Sequence, residues 1–170
     1  MVPFLRARDI GRMRVETGAS IEDVYRGEAP RLWRALLLHL GDREAASDAL
    51  AEAFAQAIAR GDAIRDPAAW VWKAAFRLAK GRPRERPITT PPQEYAGSGT
   101  VSDELMDLVQ ALKKLTPHQR GAVVLHHYAG YSVREIADIL GSTPAAVGVH
   151  LYRARGRLRR ELGVDDDRPA

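Results

Sequence analysis

The chain has 170 residues, of which 45% are hydrophobic and 28% are charged, a composition typical of a globular protein with one domain or two small ones. The formal net charge is +4 and the pI is about 9.7, which favours an anionic partner. The absence of cysteine excludes disulfides, cysteine-ligated zinc and thiol catalysis, and no stretch approaches the roughly 20 apolar residues of a membrane span.

The first predicted helix runs from Ser20 to Leu40. Ser20 and Asp23 can cap its N-terminus, because a short polar side chain there accepts a backbone hydrogen bond and an acid suits the first turn. Pro30 interrupts the apolar pattern and predicts a kink or a restart near Ala29.

A second helix is predicted from Asp42 to Arg60, with a broad apolar face of mostly small residues that ends at Ile58. Asp48 and Glu52 are four residues apart, so their carboxylates share another side of the helix. This side has two interpretations, a solvated acidic face or a docking surface for a basic partner. No histidine, lysine or metal-ligand pattern accompanies the pair, so acid–base catalysis is not indicated.

The third predicted helix begins at Asp66-Pro67 and extends to about Lys80. Its cations Lys73 and Arg77 form one row, with Trp70 at the edge of that row. An aromatic ring beside cations can stack on an unpaired base while the cations bind phosphates. Filling the core is an equal alternative for Trp70. It is the favoured interpretation for two further aromatic residues of this helix, Trp72 and Phe76.

Residues 82–101 are rich in proline and glycine among polar residues, which predicts a linker between two helical domains, 20–81 and 102–163. The second domain opens with a leucine stripe from Leu105 to Leu115. A capping box at Thr116-Pro117-His118-Gln119 then predicts a helix to about Tyr128.

The segment from Ser132 to Leu162 has the pattern of a helix-turn-helix. Ser132 and Glu135 form a capping box, and Gly141 stands where the chain leaves the first helix. Thr143-Pro144 then starts the second helix. Arginines crowd the outer face of its C-terminal half, which suits contacts with DNA phosphates, whereas the N-terminal turn suits base edges in a major groove. The alternative is a helical hairpin with a solvated basic face.

These features together resemble a bacterial sigma factor of the sigma-70 class, in the small extracytoplasmic-function group that has only regions two and four. The most specific match is LTPHQRGAVVLHHYAGYSVREIADILGSTPAAVGVHLYRARGRLRREL, which resembles region four. The stretch GDREAASDALAEAFAQAIAR resembles the region-two segment that docks on core RNA polymerase. The stretch DPAAWVWKAAFRLAKGR resembles the segment that engages the promoter's minus-10 element.

The resemblance implies an all-α protein with three sets of binding residues. The core-polymerase contacts are Asp48, Leu50, Glu52 and Phe54. The minus-10 contacts are Trp70, Lys73 and Arg77. The helix-turn-helix contacts with the minus-35 element are Ser132, Arg134, Ser142, Thr143, Ala145, Ala146, Gly148, Val149, His150, Arg153 and Arg155.

The implied partners are core RNA polymerase and promoter DNA, with no cofactor, no metal and no membrane. Many members of the group are held by an anti-sigma factor, which makes such a protein a candidate partner. No signal peptide is expected, because no apolar core follows the N-terminal arginines, and the expected compartment is the cytoplasm. Two other functions stay open: a stand-alone helix-turn-helix regulator, and, less favoured, an enzyme with an appended DNA-binding domain.

Overall fold

The computed structural model describes residues 19–80 and 101–163, which contain seven α-helices and no strand. The all-α fold class is therefore confirmed, whereas the predicted linker lies, apart from Val101, outside the described residues. The helices are α1 (Ile21–Leu40), α2 (Arg43–Arg60), α3 (Pro67–Lys80), α4 (Asp103–Lys113), α5 (Pro117–Val123), α6 (Val133–Leu140) and α7 (Pro144–Glu161).

Helix α1 starts and ends where the sequence predicts. Ser20 and Asp23 form a reciprocal capping box, and the helix ends at Gly41, whose φ of 70° is left-handed. The predicted restart near Ala29 is wrong, because α1 continues through Pro30 as one helix, whereas a kink there stays a prediction. Pro30 is exposed, so its ring faces solvent, and the absent N–H removes a single hydrogen bond.

Helices α2 and α3 pack against α1 to form the first half of the molecule. The alanines of α2 at positions 46, 49, 53 and 57 are fully buried, and their small side chains let neighbouring helices approach closely. Trp33 crosses from α1 to α2, where its indole N–H donates to Ser47 Oγ at 2.9 Å. Asp66 caps α3, since its carboxylate accepts from the Ala69 N–H at 3.0 Å.

The second half contains α4 to α7. The capping box at Thr116 is present, but the helix that begins there becomes a π-helical turn over Val124–Tyr128. That wider turn leaves no mark in a helical repeat of 3.6 residues, so the sequence pattern does not predict it. The helix-turn-helix is confirmed as α6 and α7, joined through Gly141, which has a φ of 63°.

The two halves pack directly on each other. The ring of Trp72 in α3 meets the ring of Tyr131 edge-on at 5.5 Å, just before α6. Arg31 in α1 donates to the Ala129 carbonyl oxygen, and Arg120 Nη1 in α5 donates to the His39 carbonyl oxygen at 2.9 Å. One hydrophobic core runs through both halves. The described helices therefore form a single body in which α6 covers part of α3.

Candidate nucleic-acid interface

Helix α7 has one buried side and one open side. Val147, Leu151 and Ala154 are buried at 0–5% exposure, against α5 and α6. The arginines on the remaining surface are all exposed: Arg153, Arg155, Arg157, Arg159 and Arg160. The apolar stripe thus anchors α7 and turns a dense positive surface towards solvent, as phosphate binding requires.

The N-terminal turn of α7 is also accessible. Thr143 caps it by accepting from the Ala146 N–H at 3.2 Å. The predicted base-reading residues here are mostly exposed, and Val149 has 46% of its surface in solvent. The exposed ones are Thr143, Ala145, Gly148 and Val149 on α7 with Ser132 and Arg134 on α6, whereas Ser142, Ala146 and His150 are half-buried.

A cleft of about 550 Å³ follows the arginines of α7. Tyr152 lines it with 79% of its surface exposed, the largest exposed fraction among the aromatic residues of the described chain. Tyr152 is not among the DNA contacts that the family resemblance implies. The sequence does indicate such a role, because Tyr152 precedes Arg153 and lies off the apolar stripe of the helix.

His150 does not stand alone on α7. Its ring stacks on the ring of His118 from α5, with 5.5 Å between centroids. Burial, and then the electrostatic influence of His118 and Arg153, lowers the pKa of His150. The neutral imidazole is therefore favoured at position 150, so this side chain offers one donor and one acceptor.

Helix α3 presents a smaller basic surface. Arg77 is exposed and Lys73 is half-buried. Trp70 is also half-buried, and the guanidinium of Arg60 lies 5.3 Å from the centre of its ring. A pocket of about 460 Å³ lies here, lined by Trp70, Lys73, Arg60 and Arg65 among others. Trp72 and Phe76 are 1% exposed, so their predicted place in the core is confirmed.

Helix α2 divides the predicted polymerase contacts into two pairs. Asp48 is half-buried and Glu52 is exposed, and Glu52 accepts from Gln56 Nε2 at 2.9 Å. Leu50 and Phe54 are only 2% and 4% exposed. Leu50 and Phe54 therefore lie in the core instead of on a docking surface.

The apolar period of α2 explains this division, because it places both residues on the side facing α1 and α3. Phe54 meets the ring of Tyr25 edge-on at 4.8 Å. Ile58 continues the predicted apolar face by spacing, yet it is 67% exposed, because it lies in the last turn of α2. Ile58 is therefore an exposed apolar side chain at the C-terminal end of α2.

Comparison with known proteins shows which family has this architecture. The family model described as Sigma-70, region 4 matches residues 105–158. The RNA polymerase sigma-E factor of Streptomyces antibioticus is 32% identical over 130 residues, which cover 71% of this chain and 72% of that protein. The chain belongs to the sigma-70 family. The ECF RNA polymerase sigma factor SigL of Mycobacterium tuberculosis is 27% identical over 163 residues, covering 86% of this chain and 92% of SigL, which indicates the extracytoplasmic-function group.

Solved structures agree on the fold of this sigma factor. CnrH, solved in complex with the cytosolic domain of CnrY, matches with a TM-score of 0.64 and 22% identity, covering 86% of this chain and 89% of CnrH. RpoE from Bartonella quintana, solved with the anti-sigma factor NepR, matches with a TM-score of 0.60 and 24% identity, covering 85% of this chain and 99% of RpoE.

Family membership defines the activity. The sigma factor directs core RNA polymerase to promoters as a transcription initiation factor, and it is not an enzyme. Within residues 19–80 and 101–163, no three histidine, aspartate or glutamate side chains are grouped to hold a metal ion. None of the helices in those ranges combines the length and the hydrophobicity of a membrane span.

Proposed function

We propose that the two halves of this sigma factor divide promoter recognition between them. The second half, residues 102–163, binds the minus-35 duplex with α7 in the major groove. The observation that supports this most is the exposed arginine surface of α7, continuous with an exposed N-terminal turn. Arginines and backbone contacts position the helix on phosphates, and Gly148, Val149 and His150 face the base edges.

The first half, residues 20–81, binds the opened minus-10 strand with α3. The pocket beside Trp70 supports this role, because it combines an aromatic face with Arg60, Arg65 and Lys73. A displaced base stacks on the indole while the cations hold the flanking phosphates. Arg77, one turn further along α3, extends the phosphate contacts.

Core RNA polymerase binds the acidic side of α2 through Asp48 and Glu52. Among the four predicted contacts only these two side chains reach the surface, since Leu50 and Phe54 are buried. The buried pair supports binding indirectly, because it holds α2 against α1 and α3.

The packed arrangement cannot hold both promoter elements at once. The elements lie roughly 25 base pairs apart by the positions that name them, or about 85 Å of B-DNA at 3.4 Å per pair. Helix α3 touches α6, and packed helix axes are only about 8–10 Å apart. The halves therefore separate, through the predicted linker 82–101, when the factor engages a promoter.

An anti-sigma factor and a cytoplasmic location complete the proposal. Among proteins of the same fold, CnrH was solved with the cytosolic domain of CnrY, and the sigma factor RpoE with the anti-sigma factor NepR. An inhibitory partner for this chain would hold the packed halves until a signal releases it. The cytoplasm follows from the partners, since core RNA polymerase and the chromosome are there.

The proposal is tested by run-off transcription over a promoter library with purified core RNA polymerase, with and without this protein. We expect new discrete start sites with the protein. The variant Glu52→Lys should abolish them by reversing the docking charge. Asp107→Lys, the same reversal on exposed α4, is the matched control and should retain them.

Two results would contradict the proposal. If Glu52→Lys and Asp107→Lys were equally active, the acidic side of α2 would not be the docking surface. If the protein bound specific duplex DNA yet gave no transcript with any core polymerase, it would act as a stand-alone regulator with a sigma architecture.

A further inference from the structure

A cleft of about 500 Å³ lies between the two halves of the molecule. The C-terminal ends of α1 and α3 form one wall, and α5 with the end of α6 forms the other. Its apolar surface comes from both walls and includes Phe76, Ile139 and Leu140. Pockets of this size between packed units, mostly apolar with a few polar groups, are typical of small-molecule sites.

One polar side chain in this cleft is buried without a partner. His39 lines the cleft, is 8% exposed, and stacks on Phe76 with 5.2 Å between ring centres. Its Nδ1 atom has no hydrogen-bond partner among the described residues. A buried polar atom of this kind is rare in native proteins and calls for an explanation. Burial lowers the pKa of His39 to about 4, with Arg120 and His118 acting in the same direction, so the ring is neutral.

The charges around the cleft are predominantly positive. Arg77 and Lys80 lie at its mouth, both exposed and neither in an ion pair with a described residue. Arg120 lies deeper, where its guanidinium donates to the carbonyl oxygens of Leu112, His39 and Leu115 and is thereby fixed in place. Asp138 is the acidic residue among those that line the cleft.

We propose that this cleft binds a small amphipathic anion, with an apolar body between Phe76 and Leu140 and a carboxylate or similar group near Lys80. An apolar floor with cations at the mouth matches such a molecule in both shape and charge. The imidazole of His39, stacked on Phe76, forms part of the wall that the ligand contacts. Binding in the cleft is inferred from the cleft alone, whereas its effect on initiation rests on the separation of the two halves proposed above.

Binding in the cleft is coupled to the packing of the two halves, because each half contributes one wall. A ligand that binds only the packed arrangement shifts the protein towards it. The same ligand therefore opposes the separation that promoter engagement requires. The cleft thereby gives a small molecule a route to regulate initiation.

The test uses the full chain and 2-naphthoate as the probe, followed by NMR of the histidine ring signals. We expect saturable binding that shifts the His39 signals, and binding of the neutral analogue 2-naphthamide that is at least several-fold weaker. Lys80→Glu should weaken 2-naphthoate about fivefold, because an attraction becomes a repulsion at an exposed site. Lys114→Glu, the same change on an exposed lysine outside the cleft, should leave the affinity unchanged.

A second variant tests the cleft itself. Ala79→Phe places a large side chain on its wall and should abolish the His39 shifts, with circular dichroism to confirm that the variant folds. The inference is overturned if the amide binds as well as the carboxylate, if Lys80→Glu and Lys114→Glu behave alike, or if 2-naphthoate leaves the His39 signals unmoved.

Discussion

Helices α3 and α7 are the two helices proposed to bind DNA, yet they differ in how much of each is buried. Six residues of α3 are buried, under α1, α2 and α6, whereas α7 buries only Val147, Leu151 and Ala154. A change in α3 therefore affects folding and DNA binding together. A change to an exposed arginine of α7 affects DNA binding with little effect on folding.

The largest expected effect is the exposure of α3 when α6 moves away from it in the promoter complex. The chain has no cysteine, so two can be introduced for dyes at exposed Ala59 and Glu161, one in each half. We expect high energy transfer in the protein alone and a large loss in the complex with core polymerase and promoter, because the elements lie about 85 Å apart. Duplex DNA without polymerase is the control. Unchanged transfer in the full complex would mean that α6 stays on α3.

The next effect concerns the stability of α3. Trp72→Ala should lower the free energy of unfolding by about 4 kcal/mol, the usual cost of removing a large buried aromatic side chain. Trp72 also donates its indole N–H to Glu28 Oε2 at 2.9 Å and lies 5.3 Å from the Arg31 guanidinium. Tyr152→Ala on α7 is the matched truncation, and it should cost less than about 0.5 kcal/mol. Urea denaturation measures the loss of unfolding free energy in each variant, and equal losses would contradict the difference between α3 and α7.

The packing between α3 and the second half should depend on pH. His39 has a folded-state pKa of about 4, against about 6.5 when unfolded. The unfolded chain therefore binds more protons between these values, and stability falls as the pH drops from about 6.5 to about 4. The loss should be on the order of 3 kcal/mol.

His39→Leu isolates this contribution, because leucine fills the site without titrating. The variant should lose most of the pH dependence in that window, as measured by urea denaturation at several pH values. Parallel pH profiles for the two proteins would show that His39 is not the group responsible.

Much of this fold could be predicted from sequence, because its signals are local. The caps at Ser20, Thr116 and Ser132, and the turn at Gly141, need only neighbouring residues, and all are present. Burial on α2 could not be predicted from a family role, which assigns Leu50 and Phe54 to polymerase binding although their spacing indicates the core.

Tertiary contacts account for what the sequence pattern did not show. The cleft beside His39 and the contact of His150 with His118 join residues far apart in the chain. No spacing rule relates such residues. The exposure of Ile58 depends on where α2 ends relative to its neighbours. Helical periodicity does not predict that position.

On α7, loss of one arginine should weaken DNA binding without affecting the fold. We expect Arg153→Ala to reduce affinity for the promoter duplex several-fold and to lower the slope of log affinity against log salt by about 1, as for one lost phosphate contact. The unfolding free energy should stay within about 0.5 kcal/mol, because Arg153 is exposed. Fluorescence anisotropy at several salt concentrations measures the slope. An unchanged slope would remove Arg153 from the interface.

The smallest expected effect distinguishes base recognition from helix stability within α7. Added β-carbons at Gly148 and Gly156 meet nothing within 4 Å. Alanine at either position should stabilise the helix by up to about 1 kcal/mol, since glycine is the poorer helix former. Only Gly148→Ala should alter the base preference, because its methyl group lies in the N-terminal half that faces the bases. Selection from a randomised minus-35 library measures this, and identical preferences for the two variants would place base recognition elsewhere on the helix-turn-helix.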